Sequence, residues 1–190
     1  DGANYRSHLI SGRLLYEAGN YEESERELKK CVKIKPYSAE AMRELGKALL
    51  KQGKNEAALS AFEKTLAVEP DNYSAVINKA NIYGKTGIWD KAASSYREAI
   101  RIKPDSFIAY YNLAISLQEC GSNEEAIEAF KLAIRINPDF IDAYNNLGIA
   151  LSIAERHEEA LEVYEEGIRR NSNEFSLFFN MGICTSSRRL

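Results

Sequence analysis

This sequence predicts an all-α array of stacked helix pairs, and three observations predict it. All four prolines, Pro36, Pro70, Pro104 and Pro138, stand 34 residues apart. Four glycines, Gly19, Gly53, Gly87 and Gly121, keep the same step. Between these markers the apolar residues recur at helical spacing, with no alternating strand pattern. A fixed period of this length marks a repeat architecture, in which each unit buries its apolar face on the next.

The repeats are set at 5–38, 39–72, 73–106, 107–140 and 141–174, with a partial sixth at 175–190. Together they are expected to form a single domain over residues 1–190. Position 1 is then Tyr5, Ala39, Tyr73, Phe107, Ile141 and Phe175. The first helix of each repeat covers positions 1 to about 14 and ends at a glycine suited to a left-handed residue. The second helix starts near position 17 or 18 and ends before the proline at position 32. Asn72 and Ser106 are placed to cap the helices that follow them. Asn72-Tyr73-Ser74 also fits a glycosylation sequon, but the capping role accounts for it.

Side-chain size supports the pairing. Position 8 is always small: Gly12, Gly46, Ala80, Ala114, Gly148 and Gly182. Position 24 is always large: Leu28, Phe62, Tyr96, Phe130 and Tyr164. Small residues at 8, 20 and 27 let two helices approach, and large ones at 4, 11 and 24 fill the space between them.

These residues resemble the tetratricopeptide repeat over about residues 5 to 187, with Leu45-Gly46, Ala58, Phe62 and Pro70 the fullest match. The resemblance implies a right-handed superhelical solenoid whose first helices line a concave groove. It also implies a non-catalytic scaffold that binds a peptide or partner protein there. Departures occur at both ends. The first repeat has His8 and Ser11 where larger residues are usual, and the fifth has Glu155 for the turn glycine and Ser172 for the proline. The sixth stops after a helix carrying Phe178, Phe179, Met181 and Ile183. A terminal cap should be polar outside, so this end is expected to meet further repeats or a partner, including a second copy.

Positions 4, 7, 8 and 11 of the first helix form the core stripe, leaving 2, 5, 6, 9 and 13 for other work. Position 6 reads Ile10, Glu44, Asn78, Asn112, Asn146 and Asn180. An Asn amide offers both a donor and an acceptor, so a row of them suits the backbone of an extended peptide. Bonding to a neighbouring helix is the plain alternative. The row is similar to that of the O-linked N-acetylglucosamine transferase repeats, whose catalytic domain has no counterpart here. Asn145 and Tyr111 at position 5, and Asn81 at position 9, join the candidate groove.

The other groove candidates divide along the chain. Arg13, Arg43 and Lys47, with Arg6, Lys51 and Lys85, make the early repeats basic against Glu17 and Glu40. Ile115 and Ile149, with Ile108, Ile153, Phe179 and Ile183, make the later ones apolar. The expected partner is a protein or peptide with acidic residues at one end and apolar anchors at the other. The residue set fits no chaperone-type carboxylate clamp: units two to four give Arg43, Lys47, Asn78, Ile108 and Asn112 in the clamp positions.

Other functions find little support. A net charge of −3 does not point to nucleic acid. No apolar run is long enough for a membrane span. "GKTG" at 84–87 lacks the earlier glycine of a phosphate loop, because Lys79 stands there. "HEEAL" from His157 has Leu161 where a metalloprotease needs its second His. Cys31, Cys120 and Cys184 form no paired motif and are expected to be three small buried thiols. No catalytic residue, metal site or cofactor is expected, and the location is expected to be cytoplasmic. Self-association through the terminal helices and a role as the targeting arm of a larger enzyme are the alternatives.

Overall fold

A computed structural model describes residues 2–172 and 174–187. Residue 173 of the expected fifth repeat and residues 188–190 of the sixth lie outside them. The described residues form eleven helices and no strand. They are α1 Gly2–Glu17, α2 Tyr21–Ile34, α3 Ala39–Lys51, α4 Asn55–Val68, α5 Tyr73–Lys85, α6 Trp89–Ile102, α7 Phe107–Glu119, α8 Asn123–Ile136, α9 Ile141–Ile153, α10 His157–Arg170 and α11 Phe175–Ser187. From α3 onward every first helix covers positions 1–13, and every second helix covers 17–30. Two compact units result, an N-terminal one ending at Thr86 and a C-terminal one starting at Gly87.

The turns follow from backbone sterics. Gly19, Gly53, Gly87 and Gly121 adopt φ between 73° and 80°, the left-handed conformation that a glycine enters without a Cβ clash. Glu155 takes the same turn with φ 59° and no such freedom. The expected caps at Asn72 and Ser106 form, accepting from the amides of Ala75 and Ala109, and Ser38 caps α3 in the same way by accepting from Ala41. Before α9 the cap position is Phe140, which makes no side-chain cap. Its ring packs instead on Phe107 at 5.1 Å and Tyr111 at 4.8 Å.

Within the N-terminal unit, α1 packs on α2, α2 on α3, α3 on α4 and α4 on α5. Its core centres on Leu28, Cys31, Phe62 and Ile82. A methyl on Gly46 would stand 2.7 Å from the Phe62 ring, and one on Gly12 2.7 Å from Leu28 Cγ. Position 8 is small because position 24 lies against it. Buried Ser24 donates to the Gly12 carbonyl at 2.7 Å. Glu25, only 7% exposed, binds Lys29 and Lys54 at 2.7 Å each.

The C-terminal unit repeats this order, with α6 on α7, α7 on α8, α8 on α9, α9 on α10, and α11 on both α9 and α10. Gly148 meets Tyr164 as Gly46 meets Phe62. Fully buried residues include Phe130, Ile127, Leu151, Tyr164 and Leu177. The three cysteines are free, and Cys31 and Cys184 are buried as expected. Cys120 is not: it caps the exposed end of α7, 3.5 Å from Asp90 Oδ1. Among the described residues no helix is long and apolar enough to cross a membrane.

Candidate functional site

In the N-terminal unit the first helices α1, α3 and α5 share one face. Its expected basic character is largely consumed by one acid. Glu44, at position 6 of α3, is only 6% exposed. One of its oxygens receives Arg43 at 2.9 Å, with Arg13 at 3.6 Å; the other receives Lys47 at 2.7 Å. Burial pushes the Glu44 carboxyl up, but hydrogen bonds from Lys47 and Arg43 outweigh it and hold the group below its usual range. Arg13 also binds Glu40 at 2.7 Å. Arg13, Arg43 and Lys47 are therefore brought together, around a carboxylate that belongs to the fold.

Beside them lies a cleft of about 540 Å³ lined by Tyr16, Lys47, Leu50, Lys51, Asn78, Asn81 and Lys85. The Lys47 ammonium sits 5.1 Å from the Tyr16 ring centre, a cation–π distance. Lys51 and Lys85 are exposed, and no ion pair to the described residues engages either. Asn81 is exposed at the cleft. Asn78 donates to the Ser74 carbonyl of its own helix at 2.7 Å, which leaves its side-chain oxygen for another donor. Tyr16 and Leu50 escaped the sequence reading. Both stand at position 12, between the core stripe and the face, and the repeat register was the signal that could have found them.

The C-terminal unit treats its asparagines differently. Asn146 donates to the Tyr111 hydroxyl at 2.8 Å. Asn180 donates to the Asn145 side-chain oxygen at 2.8 Å. Each bond joins position 6 of one first helix to position 5 of the preceding one, a separation of 35 residues. Here position 6 lies at the seam between stacked first helices and is half-buried, rather than projecting outward. Tyr111 is further held by Phe130 at 5.8 Å and Phe140 at 4.8 Å. Burial pushes its phenol up, Asp142 adds to this, and the Asn146 bond opposes it.

Asn112 has no such stitch. Asn112 is half-buried, and its amide makes no hydrogen bond to the described residues. Ile115 and Ile149 are half-buried, while Ile108 and Ile153 are exposed on the same helices. A hollow of about 400 Å³ is lined by Ile149, Ser152, Ile153, His157, Tyr164, Asn180, Ile183 and Cys184. Cys184 donates to the His157 carbonyl at 3.7 Å and lies 3.8 Å from Nδ1. This buried thiol packs two helices together. Among the described residues no group of three or more metal-ligating side chains converges.

Family models of the tetratricopeptide repeat match residues 5–38, 43–107, 95–128, 117–152 and 140–173. No curated protein matches. Among solved structures, residues 41 to the end of MamA from Desulfovibrio magneticus RS-1 are 22% identical with a TM-score of 0.84, covering 90% of this chain and 97% of that one. Another MamA crystal structure is 22% identical at TM-score 0.85, covering 92% and 95%. YrrB, described as a repeat protein with an unusual peptide-binding site, is 18% identical at TM-score 0.80, covering 96% and 91%. At these identities the likeness speaks for the fold.

Proposed function

Because this chain is built of tetratricopeptide repeats, we propose that it is a non-enzymatic scaffold whose first-helix faces hold an extended segment of a partner protein. One observation carries the reading: these faces keep polar and apolar groups that the fold does not consume. Lys51 and Lys85 lack ion pairs among the described residues, the Asn112 amide lacks a bonded neighbour, and Ile108 and Ile153 are exposed. Apolar side chains on a wet face and unpaired cations beside a cleft are features of partner recognition. The peptide-binding site described for YrrB agrees with this role without assigning any residue here.

The residues divide by what their atoms have left to offer. Asn112 has a whole amide to grip a peptide backbone. Asn146 and Asn180 retain their side-chain oxygens and one N–H each. In the N-terminal unit the cleft of Tyr16, Lys47, Lys51, Asn78, Asn81 and Lys85 favours acidic side chains. In the C-terminal unit Ile108, Ile115, Ile149 and Ile153 favour apolar anchors. Arg13 and Arg43, tied to Glu40 and Glu44, shape the face more than they charge it.

Displayed random peptides selected on the immobilised chain supply ligands, and calorimetry measures their affinity for variants. Lys51→Glu/Lys85→Glu should weaken acidic peptides at least tenfold, about 1.4 kcal/mol. Asn112→Ala and Ile149→Asp should weaken apolar ones. If all of these variants bind as the parent does, the first-helix faces are not the site.

A further inference from the structure

The turn between α2 and α3 carries an aromatic spur that the next three turns of its kind lack. Lys33, Ile34, Lys35, Pro36 and Tyr37 are exposed without a break. Tyr37 is 84% exposed and Ile34 36%. At position 33, where Tyr37 stands, the next three repeats carry Asp71, Asp105 and Asp139. The backbone does not require the tyrosine. The amides of Ser38, Asn72 and Ser106 donate to the carbonyls of Lys35, Glu69 and Lys103 at 3.2, 3.1 and 3.3 Å, so one turn serves Tyr and Asp alike. The spur is also positive. Lys29 and Lys30, one turn earlier, are paired with Glu25 and Glu27. Lys33 makes no ion pair to the described residues, and the Lys35 ammonium rests 4.5 Å from the Tyr5 ring centre rather than on a carboxylate.

The C-terminal unit carries a groove of matching chemistry, about 410 Å³ in volume and lined by α6, α7 and α8. Its floor includes Tyr110, Leu113, Leu117 and Leu132. Leu132 departs from the repeat pattern as Tyr37 does: position 26 is Lys30, Lys64, Glu98 and Glu166 in the other repeats. Tyr110 is half-buried, and its hydroxyl bonds no described residue. Tyr144, at the same position one repeat on, donates to the Pro138 carbonyl at 3.1 Å. The rim is Glu124, Glu125 and Glu128, all exposed, with Arg97. Arg97 reaches Glu125 at 2.7 Å, and Lys131 reaches Glu128 at 3.0 Å. Arg156 reaches Glu124 at 3.1 Å while binding Glu159 at 2.7 Å, so four carboxylates share three cations. Exposed pairs of this kind contribute little, and an incoming lysine exchanges into them.

We propose that the spur of residues 33–37 in one copy docks in the α6–α7–α8 groove of a second copy. The Tyr37 ring covers Leu113, Leu117 and Leu132, with its hydroxyl towards the unbonded hydroxyl of Tyr110. Lys33 and Lys35 meet the acidic rim. A second copy is the occupant because the two surfaces are opposite in charge, and each is apolar where the other repeats place a charged residue. The contact joins two different patches, so it is heterologous. One aromatic side chain offers about 150–250 Å², which puts the contact at the small, reversible end of protein interfaces. A dissociation constant on the order of 100 µM follows. Neither surface uses a residue of the proposed peptide site, so either reading can fail without the other.

Sedimentation velocity on the whole chain, from about 5 to 500 µM, spans the expected constant. The weight-average mass should rise with concentration from 21.4 kDa. Tyr37→Asp and Leu132→Lys each introduce the residue that the second repeat carries there, Asp71 and Lys64, so the fold should tolerate both. Each should weaken association about tenfold or more. Mixing then tests the pairing itself. The Tyr37→Asp protein keeps its groove and the Leu132→Lys protein keeps its spur. An equimolar mixture should therefore be heavier than either protein alone at the same total concentration. Circular dichroism confirms that each variant keeps its helices. A parent that stays monomeric throughout overturns the proposal. So does association indifferent to both variants, or a mixture no heavier than its components.

Discussion

The bond from Asn146 to Tyr111 makes a prediction that separates fold from ligand binding. Tyr111→Phe deletes the hydroxyl and keeps the ring against Phe130 and Phe140. Asn146→Ala deletes the donor 2.8 Å away. A neutral hydrogen bond contributes about 0.5–1.5 kcal/mol net. Both groups are half-buried, so water replaces part of what is lost. Each single variant should therefore lose about 1 kcal/mol, and the double variant should lose little more than either, a coupling of about 0.5–1.5 kcal/mol. For a chain of this size each 1 kcal/mol moves Tm by about 2–4 °C. Urea denaturation of the four proteins measures it, with equal m values required for the comparison. A coupling under about 0.3 kcal/mol, within ordinary additivity, would refute the stitch and return Asn146 to the free surface.

Three further outcomes follow from the same packing. Burial raises the Glu25 carboxyl, but bonds from Lys29, Lys54 and Gln52 bring it to about 2, from 4.5 in the unfolded chain. Its contribution is full above pH 4.5 and is lost as the pH falls through about 2. Discounted for the solvent around both lysines, it is about 1–3 kcal/mol. Glu25→Gln should flatten the acid limb of a stability–pH profile by that amount, and an unchanged limb would count against the network. Glu155→Gly should stabilise the chain by about 0.5–1 kcal/mol, since the left-handed turn costs a Cβ-bearing residue about 1–2 kcal/mol and a new glycine returns part as unfolded-state entropy. Denaturant midpoints check the sign, and a lower midpoint would contradict it. Gly46→Val should cost about 2–3 kcal/mol by driving a side chain into the buried Phe62 ring, and Gly46→Val/Phe62→Ala should lose less than the sum of the two single variants. A loss under 0.5 kcal/mol would show slack that the packing does not reveal.

Much of the fold was legible because the repeat makes each position visible several times. The step of 34 residues fixed helix starts, the four glycine turns and the caps at Asn72 and Ser106. Glu155 was readable as a substituted turn residue because its register demanded the same backbone. The candidate faces were less legible, for a reason that Glu44, Asn146 and Asn180 share. A projection of one helix gives the direction of a side chain but not the flank of the next helix. Glu44 looked like one acid among many until Arg13, Arg43 and Lys47 were seen around it. For Asn146 and Asn180 the sequence leaves both a free rung and a bond to a neighbouring helix open, because the acceptors lie 35 residues away, one position out of register. Residue type alone predicts a buried Cys120, and its place at a helix end exposes it instead.

The central claim is that the first-helix faces hold an extended peptide. The direct measurement is backbone amide exchange of the chain with and without a selected peptide. The account predicts added protection and shifts on α3 and α5 around Lys51, Asn81 and Lys85, or on α7 and α9 around Asn112 and Ile149. It also predicts that the second helices α4, α8 and α10 stay unchanged. Changes confined to those second helices, with the first helices silent, would contradict it.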